Sequence, residues 1–195
     1  MKPLVFASSN LGKISELRGL FGEEAHVQSL ADYPQIGTID ETASTFEGNA
    51  ELKARAVVRA TAQWALADDS GLVVDALDGR PGVFSARYAP TEAERIDKLL
   101  GELQKAPASR RTARFVCVLC LASPKGEVFF ARGACEGSIG FEPRGSNGFG
   151  YDPVFVLPSG RTLAELSEDE KSKVSHRGNA FRQMRPLLIS LLNSE

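Results

Sequence analysis

Ala67-Asp-Asp-Ser-Gly-Leu-Val-Val-Asp-Ala-Leu-Asp-Gly-Arg-Pro-Gly82 is the stretch around which the 195-residue chain is organised. Two adjacent carboxylates, Asp68 and Asp69, follow an apolar segment at 64–67 and precede Ser70-Gly71. An apolar run at 72–74 then leads to a second turn at 78–82. Neighbouring like charges repel and gain nothing in a core, so a carboxylate pair between apolar segments needs a reason. One reason is a solvated turn, because Asp, Ser and Gly are all turn residues. The other is a hard divalent cation, which takes carboxylate oxygens and tolerates their proximity.

Working outward, residues 2–7 read as a buried strand and 11–22 as a helix with Ile14, Leu17, Leu20 and Phe21 on one stripe. Between them lies Ser8-Ser9-Asn10-Leu11-Gly12-Lys13. A small polar loop before a helix N-terminus presents backbone N–H groups and a positive dipole end. Capping by Ser9 or Asn10 accounts for the polar residues. Lys13 is unfavourable for the helix itself and points to an anion such as phosphate. The pattern G-x-x-x-x-G-K-[ST] is absent. A strand is predicted at 25–29, then an irregular stretch at 30–44 that carries Glu41. The spacing predicts a long helix at 45–64 whose apolar stripe is Phe46, Ala50, Val57, Ala60 and Trp64. Lys53 falls on that stripe. A lysine there either snorkels outward along its stem or meets a carboxylate or a bound anion.

Past the central stretch, residues 72–75 read as a strand and 80–88 as a turn with a short apolar piece. A capping box at Thr91 and Glu94 opens a helix reaching about 104. Arg110 and Arg111 read as a solvated loop. Strands at 112–122 and 127–135 are joined by a hairpin at 123–126, with a further short strand at 137–142. Cys117 and Cys120 form a C-x-x-C, but three apart along a strand they face opposite ways. No second pair completes a zinc site, so these and Cys135 read as core thiols. Together the apolar runs imply an α/β fold, a mixed sheet packed by helices.

The loop Pro143-Arg-Gly-Ser-Asn-Gly-Phe-Gly-Tyr-Asp-Pro153 places Phe149 between two glycines. Phe149 and Tyr151 either plug the core or offer a ring to a flat ligand, with Asp152 as an edge acceptor. A strand is predicted at 154–157. A second capping box at Ser167 and Glu170 precedes Lys171-Ser-Lys-Val-Ser-His-Arg-Gly178, in which Lys171, His176 and Arg177 are donors in a serine-containing loop. A helix with Phe181, Met184 and Leu188 inward follows at 179–193.

A net charge of −2 argues against binding a nucleic-acid polymer through a broad basic face. No apolar stretch approaches the ~20 residues of a membrane helix, and the start turns polar at Ser8, unlike a signal peptide. A cytoplasmic protein is expected. Cationic and N–H donors at Ser8 to Lys13 and Lys53 suit phosphates. Carboxylates at Glu41, Asp68 and Asp69 suit Mg²⁺. The Phe149 ring suits a base face, and Lys171, His176 and Arg177 suit base carbonyls.

Six motifs stand in the order of one known family: Ser8-Ser-Asn-Leu-Gly-Lys13, Glu41-Thr with Thr45-Phe-Glu-Gly-Asn-Ala50, Ala67-Asp-Asp-Ser-Gly-Leu72, Pro81-Gly-Val-Phe-Ser-Ala-Arg-Tyr88, Gly148-Phe-Gly-Tyr-Asp-Pro153 and Lys171 to Gly178. The chain thereby resembles the inosine triphosphate pyrophosphatases, the Ham1-like or RdgB-like family, along essentially its whole length. The resemblance implies an elongated mixed α/β sheet flanked by helices, with 1–195 forming one domain of two lobes around a central cleft. It also implies a homodimer and Mg²⁺-dependent hydrolysis of ITP, dITP and XTP to monophosphate and pyrophosphate, clearing deaminated purines. Carried over by position, Ser8, Ser9, Asn10, Leu11, Gly12, Lys13 and Lys53 hold the triphosphate. Glu41 and Asp69 bind Mg²⁺, Asp69 is the general base and Asp68 supports it. Ser70, Phe149, Gly150, Tyr151 and Asp152 line the base pocket, and Lys171, His176 and Arg177 donate to the purine. A second enzyme reading is a Maf-like pyrophosphatase acting on pyrimidine or modified nucleotides, and the His-Arg and Gly-Phe-Gly-Tyr-Asp motifs favour the Ham1-like resemblance over it. A nucleotide sensor has no need of the intact acidic set.

Overall fold

The computed structural model describes residues 3–22 and 27–193. Six strands form one sheet in the order β2-β1-β3-β4-β5-β6. They are β1 (Leu4–Phe6), β2 (Val27–Ser29), β3 (Trp64–Val74), β4 (Thr112–Ala122), β5 (Val128–Ile139) and β6 (Phe155–Val156). Among the described residues five α-helices accompany them: α1 (Leu11–Phe21), α2 (Phe46–Thr61), α3 (Glu92–Glu102), α4 (Glu168–Val174) and α5 (His176–Asn193). The sheet is mixed. β1 runs parallel to both β2 and β3, pairing Leu4 with Val27 and with Trp64, whereas β5 and β6 are antiparallel. The expected α/β architecture of a mixed sheet with flanking helices is what the chain adopts. Of the strands predicted at 2–7 and 25–29, Lys2, Ala25 and His26 lie outside the described residues.

The chain divides into two compact units, and the division falls within β3, β4 and β5. The first comprises 1–69, 117–133 and 177–195. Its core gathers Leu4 and Phe6 of β1, Leu17 and Phe21 of α1, Leu66 of β3, Leu119 of β4 and Phe181 of α5. Phe21 and Phe181 meet edge to face with ring centroids 4.7 Å apart, a geometry that aromatic quadrupoles favour. The second unit comprises 70–116 and 134–176, with a core of Leu72, Leu99, Leu103, Phe115, Phe155 and Leu163 among others.

Local chemistry explains most helix boundaries. Asn10 caps α1 by accepting from the Lys13 N–H at 3.0 Å, and Thr45 caps α2 by accepting from Gly48. Reciprocal capping boxes open α3 at Thr91 and Glu94 and α4 at Ser167 and Glu170, as expected. The helix predicted at 45–64 stops at Thr61, where Ala62 turns left-handed at φ 53°. Trp64 therefore begins β3 instead of completing the helical stripe, and Ala60 is exposed. The short strand expected at 137–142 is instead the end of β5, which continues to Ile139.

Arg111 also departs from expectation. The solvated reading fails because the side chain is buried at 2% exposure. Its guanidinium donates to the carbonyls of Ile139, Leu103 and Gly140 at 2.9, 2.9 and 2.6 Å, and stacks 4.4 Å from the Phe141 ring. Those carbonyls satisfy a charge that could not otherwise be buried. The three cysteines are buried and form no disulfide, and burial pushes the Cys120 thiol up to about 12 and Cys135 up to about 11. Such thiols are inert.

Candidate active site

The central stretch is neither a turn nor a solvated bend. Asp68 and Asp69 lie inside the eleven-residue strand β3, at 1% and 4% exposure. Side chains on a strand alternate between faces, so two carboxylates adjacent in sequence are presented in opposite directions. Asp68 takes hydrogen bonds from Lys13 and Arg177 and Asp69 from Asn49, while Lys53 bears on both carboxylates and offsets their mutual repulsion.

Asp68 meets cations from two helices of the first unit. Lys13 Nζ lies 3.0 Å from Oδ2 and 3.2 Å from Oδ1. Arg177 Nη2 and Nε donate to Oδ2 at 3.0 and 3.3 Å. The other end of the Arg177 guanidinium donates to Glu16 of α1. Burial alone would raise the Asp68 pKa, but Lys13, Arg177 and Lys53 outweigh it and hold the carboxyl well below the usual range. Arg177 is raised above its ordinary value, its burial being outweighed by Asp68 and Glu16.

Asp69 faces α2. Asn49 Nδ2 donates to its Oδ2 at 3.0 Å, and Lys53 Nζ lies 3.7 Å from its Oδ1. Lys53 also donates to Glu41, so the two carboxylates that the resemblance marks for a cation converge on one ammonium. The buried lysine predicted from the helical stripe is thus real and does meet carboxylates, at 8% exposure. Burial works against its charge, but Asp68, Asp69 and Glu41 prevail and its pKa is raised. For Asp69 burial dominates, with Glu41 adding to it, and the pKa moves up despite Lys53 and Asn49. In the loop before α1, Ser8 is buried and its Oγ accepts from the Asn10 N–H at 3.2 Å. Ser9 and Asn10 are exposed, Leu11 is 80% exposed, and Gly12 is half-buried.

The second unit carries the other predicted residues. Asp152 is buried, accepting from the Phe149 N–H at 2.9 Å and from Lys171 Nζ at 2.5 Å. The same ammonium stands 4.8 Å from the centre of the half-buried Phe149 ring. Gly148 is required here. Its φ of +77° suits glycine, and a Cβ would come within 2.1 Å of Asp152 Oδ2 and 3.1 Å of Lys171 Nζ. Gly150 is half-buried, also with positive φ. Ser70 is half-buried at the start of this unit's share of β3. His176 is buried, its ring stacked on Phe115 at 4.8 Å between centroids and 13° between planes.

Three of the predicted site residues have partners within the fold. Tyr151 is buried at 4% exposure and its hydroxyl donates to the Ser85 carbonyl at 2.9 Å, so its ring plugs the core. Asp152 serves its own loop and Lys171 in place of presenting an open edge. Arg177, at 1% exposure, addresses Asp68 and Glu16. Its surroundings are helical: Lys171 lies in α4, and His176 and Arg177 open α5, where a serine-containing loop was expected. Sequence reading missed Asn49 and Glu16. Asn49 lies one helical turn before Lys53, so the same stripe contains it.

A model of the Ham1 family matches residues 4–187. The dITP/XTP pyrophosphatase of Halalkalibacterium halodurans is 50% identical over 189 residues, covering 94% of this chain and 97% of that protein. The dITP/XTP pyrophosphatase of Exiguobacterium sibiricum is 48% identical over 194 residues, covering 97% and 98%. Among solved structures, a HAM1 protein from Coxiella burnetii superposes with a TM-score of 0.89 at 44% identity, covering 97% of this chain and all of that one.

Proposed function

The chain belongs to the Ham1 family, and on that premise we propose that it is a pyrophosphatase hydrolysing dITP, XTP and ITP to the nucleoside monophosphate and pyrophosphate. Mg²⁺ is its cofactor, and it works as a cytoplasmic homodimer that removes deaminated purines from the nucleotide pool. The observation that carries this reading is the meeting of Glu41 and Asp69 at Lys53, in a chain that matches dITP/XTP pyrophosphatases over nearly its whole length. No helix among the described residues is long and apolar enough to cross a membrane.

The donor set fits the metal. Mg²⁺ is usually held by one or two carboxylates together with substrate phosphates, and Glu41 and Asp69 supply two. Asp69, pushed up by burial and by Glu41, would be held ionised by a cation beside it. When bound, Mg²⁺ would neutralise charge developing on the phosphate oxygens.

The chain's own residues do the rest. Lys53 and the loop from Ser8 to Lys13, with its backbone N–H groups at the start of α1, hold the polyphosphate. Asp69 takes the proton of the attacking water at its carboxylate. Asp68, kept ionised by Lys13 and Arg177, fixes both cations in place. The anhydride between the α and β phosphates breaks, and pyrophosphate leaves.

Phe149 offers its ring to the base. Lys171 and His176 donate to the 6-oxo group of hypoxanthine or xanthine. Adenine carries an amino group there and leaves those donors unpaired, a mismatch that discriminates by about 10⁴ or more in sites built to hydrogen-bond. Phe149→Ala is expected to raise KM for ITP by about 5- to 160-fold, the equivalent of one stacked base, with kcat little changed. Steady-state kinetics reads this directly, and an unaltered KM would mean that the ring does not touch the base.

The assignment is tested by incubating the protein with Mg²⁺ and each of ITP, XTP, dITP, GTP, ATP and UTP, and measuring pyrophosphate against orthophosphate. Pyrophosphate from the first three is expected. Orthophosphate as the direct product would identify a phosphatase, and nucleotide protection without products would identify a sensor.

A further inference from the structure

Asn49 is wholly buried on α2 and both ends of its amide are engaged. Its Oδ1 accepts from the Ala43 N–H at 2.9 Å, and its Nδ2 donates to Asp69 Oδ2 at 3.0 Å. The orientation of the amide follows from chemistry alone. A backbone N–H can only donate, so the oxygen must face Ala43, which turns the NH₂ towards the carboxylate. The side chain is therefore a directional bridge from Asp69 on β3 to the segment two residues beyond Glu41.

A second, independent feature presses that segment onto the helix. Gly48 leaves no space at its Cα: a Cβ there would lie 2.6 Å from Ala43 Cβ and 3.1 Å from Thr45 Oγ1. Residues 43–45 are thus seated against the first turn of α2 by packing at Gly48 and by a hydrogen bond at Asn49. Lys53 also joins Glu41 and Asp69, but a flexible ammonium is a point charge that does not fix direction, and it stands 3.7 Å from Asp69. The planar amide does fix direction, at normal hydrogen-bond lengths on both sides.

We infer that Asn49 is the positioning residue that holds Glu41 and Asp69 at the separation needed to share a cation, an inference that rests on the functional reading above. It touches neither substrate nor metal. Its effect runs through the orientation of one carboxylate and the anchoring of the segment that bears the other. Groups of this kind around metal ligands typically change metal affinity by about 10- to 100-fold when removed.

The test uses the full chain as wild type, Asn49→Leu, which keeps similar volume without either hydrogen bond, and Asn49→Ser as a smaller alternative. Free Mn²⁺ is followed by electron paramagnetic resonance in the presence of the α,β-methylene analogue of ITP, and pyrophosphate release is titrated with Mg²⁺. The expected result is metal binding weakened about 10- to 100-fold in both assays. Metal affinity equal to wild type in a folded variant would overturn the inference. So would loss of the cooperative thermal transition in both variants, which would make Asn49 a residue of the fold alone. A wild-type protein that neither binds Mn²⁺ with the analogue nor releases pyrophosphate would instead sink the functional reading.

Discussion

Asp69→Asn is expected to lower kcat for ITP by about a thousandfold, within the range that a positioned acid or base contributes, while nucleotide still binds. The substitution changes almost nothing in shape. It removes one of the two negative charges that Lys53 meets, and it removes the atom proposed to accept the proton of water. The groups proposed to hold the substrate, at Ser8 to Lys13 and at Phe149, are untouched. Loss of turnover should therefore be separable from loss of binding. Equilibrium dialysis with ITP, set beside steady-state pyrophosphate release, makes that separation. Wild-type turnover in the variant would take Asp69 out of the mechanism.

The second large effect concerns stability. Arg177→Met should destabilise the protein by about 3–5 kcal/mol, the usual result of removing one partner of a buried ion pair. For a chain of this size the melting temperature then falls by roughly 6–20 °C. The cause is what remains: Asp68 at 1% exposure loses two of its donors, and Glu16 loses one. The sign of the pH dependence follows. The folded pKa of Asp68 is depressed, so the stability this group contributes is complete above the ordinary carboxylate value of about 3.9 and is lost as pH falls below it. The gap between wild type and variant should be widest near neutrality and should narrow below about pH 4. Thermal denaturation at pH 7 and at pH 3 measures both, and equal melting temperatures at pH 7 would show that the pair contributes nothing.

Periodicity made some of the site legible in advance. Lys53 could be placed on a buried face because a helix repeats its faces every three to four residues, and the capping boxes at Thr91 and Ser167 announced two helices by local chemistry alone. Asp68 and Asp69 could not be placed that way. Asp-Asp-Ser-Gly has the composition of a turn, and it is a strand interior because Lys13, 55 positions away, and Arg177, 109 positions away, supply the compensating charge. Arg111 was misread for the same reason: its acceptors come from Leu103, Ile139 and Gly140, and only the folded chain brings them together. Tertiary partners overrode local preference in each case. The motif resemblance groups Arg177 with the base-reading donors, and in the folded chain its guanidinium also pairs with Asp68 and Glu16, partners that no local pattern announces.

The span of 109 positions between Asp68 and Arg177 has a consequence for biosynthesis. A ribosome finishes the strand bearing the acid long before it makes the arginine that neutralises it. Until α5 emerges, Lys13 has been made but the guanidinium that completes the aspartate's buried pairing has not. Premature termination before codon 177 would yield a product lacking one of its two internal cation partners, a natural substrate for quality-control proteolysis.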